Sequence, residues 1–177
     1  MNWMTAYRNK VVPADEAVAR IDSHQRVFVT GVSNGGLMSH RLGCELADKI
    51  AAIAPVVRTF TNQLAEGCKP ARPISVHMFF GTADKLVPFQ GGMQKMGSLV
   101  TPVLSAQQTI DRWAALNGCA KAGSMTKTAE PAGSRQVYSG CRQGAEVVAY
   151  IRDGAGHSWP PDATELIWAF FEKHPMR

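Results

Sequence analysis

The chain has 177 residues, which is enough for one domain with a sizeable hydrophobic core. Its net charge of +5 is mild and its basic residues are scattered, so the composition gives no support for a nucleic-acid partner. It has no apolar stretch of about 18 or more residues, the length of a transmembrane helix, so we expect no membrane partner. Met1 to Arg20 also lacks the apolar run of a signal peptide.

The first predicted strand and helix lie on either side of Ser33. Ala14 to Ile21 is predicted to form a short helix, and the β-branched, apolar run Arg26 to Thr30 a buried strand. A second helix is predicted from Gly36 through Asp48. Ser33 therefore falls on a strand-to-helix turn.

Strands and helices continue to alternate after this turn. Strands are predicted over Ile50 to Val57, Ile74 to Phe80 and Glu146 to Arg152, helices over Ser105 to Asn117 and Ala163 to Lys173, a loop over Leu86 to Pro102, and an exposed loop or irregular hairpin over Lys121 to Arg135. This alternation predicts an α/β fold with a doubly wound, mostly parallel sheet.

Ser33 is the central residue of Gly31-Val32-Ser33-Asn34-Gly35, a G-x-S-x-G pentapeptide. Between a strand and a helix, this pentapeptide is typical of the nucleophile elbow of α/β-hydrolases, which raises the serine hydroxyl above the sheet edge. We expect Gly31 and Gly35 to be needed because a Cβ atom at either would clash in a tight turn. The alternative interpretation is an ordinary glycine-rich loop.

A serine nucleophile needs a neighbouring base, and His157 is the best placed histidine. It follows the strand that ends at Arg152 and lies in a glycine-rich loop that can bend over the carboxyl end of the sheet; the alternative is a solvated loop histidine. The other histidines are poorer candidates. His24 and His40 lie close to the elbow in sequence. His77 is predicted to be a core histidine with satisfied nitrogens, and His174 a solvated residue of the tail.

Asp84 is the candidate acid that orients the base. It lies just past the strand that ends at Phe80, and catalytic groups gather at the carboxyl ends of parallel strands. An ordinary turn or cap aspartate is the alternative. Asp153 is the main rival but precedes His157 by only four residues, and Asp111 reads as a surface charge. The chain order Ser, Asp, His is the one that this fold uses.

The motifs together resemble the esterase family that includes polyhydroxybutyrate depolymerases and related feruloyl and acetyl-xylan esterases. The resemblance implies an α/β-hydrolase fold with Ser33 as nucleophile, Asp84 as acid and His157 as base. The stretches that carry it begin at Arg26 (RVFVTGVSNGGLM), Ala51 (AAIAPV), Phe80 (FGTADKLVPF), Trp113 (WAALNGC), Tyr138 (YSGC), Gly144 (GAEVV) and Gly156 (GHSWP).

The chain departs from the family pattern before the elbow. Family members carry several more strands there and a His-Gly loop whose amide forms one half of the oxyanion hole, but this sequence contains no His-Gly dipeptide. The backbone N–H of Asn34 can supply the other half. We therefore interpret residues 1–177 as a single, amino-terminally truncated α/β-hydrolase domain, the carboxyl-terminal part of the family domain.

The resemblance implies a serine esterase that needs no cofactor or metal and acts on polyhydroxyalkanoate, feruloyl, acetyl or other short-chain esters, some of them polymeric. Trp159 either flanks the substrate or packs under the loop, and Phe89 and Met93 are equally ambiguous. Two alternatives remain: a catalytically impaired module without a complete oxyanion hole, and a serine peptidase of the same fold.

Four cysteines bear on the compartment, and the sequence alone allows three ways of pairing them. The resemblance implies a Cys119–Cys141 disulfide and, with it, Cys44–Cys68. Disulfides would indicate an extracellular or periplasmic protein. Zinc ligation and free buried thiols are the alternatives.

A final expectation concerns the strand over Arg26 to Thr30, which would lack a neighbour on one side. Bare apolar strand edges promote association. We expect the chain to form a homodimer through this edge, to cover it with residues 1–24, or to be poorly soluble.

Overall fold

The computed structural model describes residues 26–119 and 125–175. The helix predicted over Ala14 to Ile21 lies outside them. No helix in these two ranges is long and apolar enough to cross a membrane. The strands are β1 (Val27–Val32), β2 (Ile50–Val56), β3 (Ser75–Gly81), β4 (Gly92–Met96), β5 (Leu99–Val103), β6 (Met125–Glu130), β7 (Gly133–Tyr138) and β8 (Val147–Arg152); the helices are α1 (Asn34–Glu45), α2 (Asn62–Gly67), α3 (Ala106–Leu116) and α4 (Ala163–Lys173).

Six strands form the main sheet, in the order β1-β2-β3-β8-β7-β6. The first four are parallel, whereas β7 and β6 continue the sheet as an antiparallel hairpin. The predicted mostly parallel α/β sheet is therefore confirmed. Because β1, β2, β3 and β8 run in the same direction, their carboxyl ends, and the residues that follow them, lie at one edge. We call it the catalytic edge because the three predicted catalytic residues follow strands that end there.

Two predicted loops are wrong in part. Within Leu86 to Pro102, β4 and β5 pair as an antiparallel hairpin, a second sheet of two strands. The hairpin is difficult to predict from sequence because its buried β4 residue is the polar Gln94, while the apolar Met93 is exposed. Within Lys121 to Arg135, β6 and the first half of β7 form a hairpin, one of the two predicted alternatives, but it is regularly paired and extends the main sheet.

The core lies on both faces of the sheet. β2 and β3 are buried along their whole length, as expected for central parallel strands. On one face Trp113 of α3 packs with Ile53, and on the other Phe170 and Phe171 of α4 pack with Phe79. This burial of apolar surface is the main force that holds the helices on the sheet.

Both expected disulfides are present, Cys44–Cys68 and Cys119–Cys141. The first ties the end of α1 to the segment after α2, and the second ties the segment after α3 to the one before β8. The alternative predictions of zinc ligation and of free thiols are therefore wrong for these four cysteines. Two disulfides are consistent with a protein of an oxidising compartment.

Two histidines differ from expectation. His77 is buried in the core as predicted, among the rings of Phe79, Tyr150 and Phe170, but neither of its ring nitrogens has a hydrogen-bond partner. His174, expected to be solvated, is largely buried: Nδ1 lies 3.1 Å from the Ser75 hydroxyl and Nε2 lies 3.2 Å from the Glu146 carboxylate. Apolar neighbours in the sequence indicated burial of His77 but not how its nitrogens are satisfied.

We predict that His77→Phe raises the free energy of unfolding, increasingly so in acid. Burial, with Arg135 and His174 nearby, lowers the pKa of His77 from 6.5 to about 3. The folded state thus disfavours the proton, so the stability tied to neutral His77 is complete above pH 6.5 and falls as the pH drops from 6.5 towards 3. The slope is at most about 1.4 kcal/mol per pH unit.

Urea unfolding at several pH values measures this effect. The difference between the His77→Phe variant and the parent chain should widen between pH 6 and pH 4, a range chosen to lie below the ordinary histidine pKa of about 6.5. A constant difference across that range would show that protonation of His77 is not what destabilises the fold in acid.

The edge of β1 gives a second prediction. In the described part of the chain, β1 pairs with β2 alone, so one side of it has no strand neighbour. We expect a homodimer, cover by residues 1–24, which lie outside the described residues, or poor solubility. Either of the first two would slow hydrogen exchange at the amides of Val27 to Val29. Light scattering separates these two outcomes. A monodisperse monomer with fast exchange would mean that the edge is tolerated bare.

Candidate active site

Ser33 occupies a strained turn between β1 and α1. Its φ of 56° and ψ of −114° lie in a region that non-glycine residues rarely adopt. The turn is held in place because the Ser33 N–H donates to the carbonyl of Val56, at the end of β2, at 3.0 Å. A strained serine between a strand and a helix is the geometry of a nucleophile elbow.

The two glycines of the pentapeptide differ in how much space surrounds them. A Cβ atom on Gly31 would lie 2.7 Å from the backbone carbon of Gly35, so the expectation for Gly31 is confirmed. A Cβ atom on Gly35 would meet nothing within 4 Å, so the expected clash there is wrong. The next glycine, Gly36, is crowded instead, because a Cβ there would lie 2.8 Å from that of Arg58.

Asp84 and His157 meet at the catalytic edge. The Nδ1 atom of His157 lies 2.7 Å from Oδ2 of the buried Asp84 carboxylate. The other oxygen, Oδ1, accepts from the backbone N–H groups of Leu86 and Val87 at 2.8 and 2.9 Å. A carboxylate accepts only, so Nδ1 carries the proton in this bond and Nε2 of the neutral ring is left as a proton acceptor.

Backbone contacts hold the two loops together. The N–H of Ala83 donates to the carbonyl of Ala155 at 3.0 Å, and the N–H of Gly154 donates to the Thr82 hydroxyl at 2.8 Å. A Cβ on Gly81 would lie 2.3 Å from the Ala155 carbonyl oxygen, so only glycine allows this approach. The loops after β3 and β8 therefore form one unit that fixes the Asp84–His157 pair.

Ser33 shares the catalytic edge with this pair because it follows β1, while Asp84 follows β3 and His157 follows β8. Among the described residues, no hydrogen bond joins Ser33 to His157. Such bonds are often long in free enzymes and shorten when substrate binds. The structure thus joins two of the three predicted residues directly and places the third on the same edge.

The rival acids have other positions. Asp153 is exposed, and its backbone N–H donates to Ala132. Asp111, on exposed surface as expected, accepts hydrogen bonds from Gln107 and from the Tyr138 hydroxyl. In this structure His157 therefore has Asp84, and neither rival, as its carboxylate partner.

The remaining candidate residues differ in their exposure and in their partners. Asn34 is the first residue of α1, so its backbone N–H is one of the first-turn amides without an intrahelical partner. Trp159 is 38% exposed and its indole N–H donates to Thr164 at the start of α4. Met93 is exposed, whereas Phe89 packs against the core. Of the ambiguous aromatic residues, Trp159 is thus the one accessible near His157.

A turn that the sequence did not single out also lies at this edge. Val57 follows β2 with a φ of 45°, a strained value for a β-branched residue. Arg58 follows it and is only 3% exposed. Burial lowers the pKa of this guanidinium, an effect that the Asp84 carboxylate opposes. The one sequence signal was a charged residue within an apolar run, Val56-Val57-Arg58-Thr59-Phe60.

His40 lies below this turn in the core. The Trp113 indole donates to Nδ1 at 3.0 Å, which leaves the proton on Nε2, 3.3 Å from the Arg58 carbonyl. Burial lowers the pKa of His40 to about 3, so the ring is neutral. His40 is therefore a satisfied core histidine and takes no part in the catalytic edge.

A cavity of about 540 Å³ opens beside the His157 loop. Its walls include Val57, Gly81 and two glycines of the loop that precede His157, Gly154 and Gly156. It is large enough for a small organic ligand.

Comparison with known proteins adds to this geometry. No protein-family model matches the chain. The chain is similar to feruloyl esterase B of Piromyces equi, with 35% identity over 138 residues that make up 76% of this chain and 25% of that protein. It is also similar to feruloyl esterase D of Neurospora crassa, with 30% identity over 156 residues, 83% of this chain and 48% of that protein.

A solved structure, the acetyl xylan esterase from Aspergillus awamori, is similar in fold, with a TM-score of 0.51, 16% identity, and coverage of 82% of this chain and 60% of that one. The chain thus spans between a quarter and about half of the length of the two sequence relatives. The comparisons support an α/β-hydrolase-like fold and a sequence similarity to feruloyl esterases. Polyhydroxybutyrate depolymerase specificity stays a prediction.

The elbow glycines provide a matched test by stability. We predict that Gly31→Ala lowers the free energy of unfolding by about 1–3 kcal/mol, the usual cost of an added methyl in a packed site. Gly35→Ala should be neutral or stabilise α1 by up to about 1 kcal/mol, because alanine is the better helix former. Denaturant unfolding measures both. Equal losses in the two variants would contradict the described packing of the turn.

Proposed function

We propose that this chain hydrolyses carboxylic esters through a Ser33–His157–Asp84 triad. The 2.7 Å hydrogen bond between His157 and the buried Asp84 carboxylate is the observation that carries the proposal. This bond joins a base to the acid that orients it. The two residues follow strands that end at the same edge of the sheet as the strained Ser33 elbow. The similarity to feruloyl esterases points to the same chemistry.

In the first half of the reaction, Ser33 Oγ attacks the ester carbonyl carbon while its proton passes to Nε2 of His157. Asp84 holds the Nδ1–H and stabilises the imidazolium ion that forms. The backbone N–H of Asn34 donates to the oxyanion of the tetrahedral intermediate. Collapse of the intermediate releases the alcohol, which takes the proton from His157, and leaves an acyl-serine.

In the second half, water takes the place of the alcohol. His157 removes a proton from the water as it attacks the acyl-serine, and the proton is then returned to Ser33 Oγ when the acid leaves. Every proton in this cycle passes through one imidazole, so the orientation that Asp84 gives to His157 controls both halves.

The substrate class follows from the relatives and the surroundings of the triad. Feruloyl and acetyl esters are proposed from the names of the similar proteins, and polyhydroxyalkanoate esters from the sequence motifs. Trp159, accessible beside His157, provides an aromatic surface for the substrate. The two disulfides fit an extracellular or periplasmic place of action.

A second candidate function is a hydrolase-fold module with impaired catalysis. The observation that favours it is that Asn34 is the one oxyanion amide that we identify among the described residues. Loss of one oxyanion donor costs about 10²–10³-fold in rate. A module of this kind would keep the Asp84–His157 pair but turn over slowly.

We predict that a fluorophosphonate probe labels Ser33, because it is the serine best placed for activation by a histidine. Peptide mass spectrometry identifies the labelled residue. Ser33→Ala and His157→Ala should abolish labelling, and Asp84→Asn should slow it by roughly 10³–10⁴-fold because the amide favours the wrong imidazole tautomer.

Asp111→Asn is the matched control, since Asp111 is an exposed carboxylate away from the catalytic edge. It should label at the parent rate. Labelling that persists in Ser33→Ala would overturn the nucleophile assignment. Specific labelling of Ser33 with no measurable hydrolysis of 4-nitrophenyl acetate would favour the impaired module.

A further inference from the structure

Arg58 is an arginine whose burial has no structural explanation in the described residues. It is only 3% exposed, and its Nε and Nη1 atoms are buried without a hydrogen-bond partner. No ion pair engages the guanidinium in residues 26–119 and 125–175. Buried charges are normally paired, because an unpaired one loses its hydration without compensation.

Asp84 is the carboxylate that attracts Arg58, but its oxygens already accept other hydrogen bonds. Its two oxygens accept from the Leu86 and Val87 amides and from His157, so the carboxylate is used by the catalytic pair. Asp84 still attracts Arg58 at longer range, but forms no hydrogen bond with it. The guanidinium, which the Asp84 carboxylate attracts, therefore keeps two buried donors without an acceptor in the described residues.

The surroundings of Arg58 also suit an anion at the catalytic edge. Its Cβ lies against Gly36 in the first turn of α1, where amides without partners and the helix dipole favour negative charge. The next residue, Thr59, is buried and its hydroxyl also lacks a partner. Val57, the residue before Arg58, lines the 540 Å³ cavity at this edge, and Thr59 lines a much smaller cavity of about 10 Å³ together with Asp84.

We propose that Arg58 is the binding residue for a carboxylate carried by the ester substrate, close to the bond that Ser33 cleaves. The proposal deepens the proposed function and rests on it. It names the substrate class as esters with a free carboxylate a few atoms from the scissile carbonyl, such as half-esters of diacids or the carboxylate-ended oligomers of hydroxy acids. A planar guanidinium matches a carboxylate because it donates two parallel hydrogen bonds.

The strain at Val57 fits this role. A β-branched residue is held at positive φ only where the surrounding structure fixes it, and such strain gathers at ligand sites. Because Val57 N–H donates to the Phe79 carbonyl at 2.9 Å, the turn is tied to β3. The turn thereby directs Arg58 to the region between the elbow and Asp84 instead of to solvent.

The test compares two substrates of equal chain length, 4-nitrophenyl hydrogen glutarate, which is an anion, and 4-nitrophenyl pentanoate, which is neutral. In Arg58→Met we expect kcat/KM for the anionic ester to fall by about 10- to 100-fold, the usual worth of hydrogen bonds to a charged group. The value for the neutral ester should change by less than about threefold, since it makes no such bond. Arg58→Lys should keep part of the preference for the anion.

Arg41→Met is the matched control. Arg41 is exposed on α1, pairs with Glu45, and its loss changes the net charge by the same amount. It should leave both substrates unaffected. A similar fall for the anionic ester in Arg41→Met would show long-range attraction and overturn the subsite, as would equal losses for both esters in Arg58→Met.

A binding measurement separates this proposal from the proposed function. Glutarate is titrated into the Ser33→Ala variant by calorimetry, with and without Arg58→Met, and pentanamide is the neutral comparison. Glutarate binding that requires Arg58 supports the subsite even if the parent chain hydrolyses neither ester, in which case only the catalytic proposal fails. Ester hydrolysis without Arg58-dependent glutarate binding overturns the subsite alone.

Discussion

The hydrogen bond between Asp84 and His157 is the constraint on which the catalytic edge depends. It spans the ends of two strands that are neighbours in space but far apart in the chain, so it exists only if β8 inserts beside β3. The backbone bonds between the two loops and the close approach at Gly81 serve the same geometry. An aspartate that also receives two backbone amides is held in one orientation, and that orientation sets the tautomer of the base.

Much of this arrangement could be predicted from sequence because its parts are local. The apolar runs at β1, β2, β3 and β8, and the glycines around Ser33 and His157, are signals that lie within a few residues of the groups they position. The β4–β5 hairpin was missed because its pattern is inverted, with Gln94 buried and Met93 exposed. The role of β7 as a sheet strand was missed because its pairing with β8 depends on residues distant in sequence.

Single residues were harder to predict than elements. A histidine in an apolar run is correctly placed in the core by its neighbours, but whether its nitrogens find partners depends on side chains from other elements. His40 meets the Trp113 indole and a backbone carbonyl, whereas His77 meets only aromatic rings and no hydrogen-bond partner. His174 was misjudged for the opposite reason, since Ser75 and Glu146 come from segments that sequence proximity does not reveal.

Buried polar groups without partners are costly, so their location in the fold carries information. The nitrogens of His77 lie within the aromatic cluster between the sheet and α4, away from the carboxyl ends of the strands, and the cost there falls on stability alone. Arg58 and Thr59 lie where β2 ends, beside the elbow and the Asp84–His157 pair. Because ligands of open parallel sheets bind outside the carboxyl ends of the strands, donors without partners at that edge are the ones that a ligand can satisfy. The same kind of deficit therefore lowers stability in the core, whereas at the catalytic edge it is the basis of the carboxylate site proposed for Arg58.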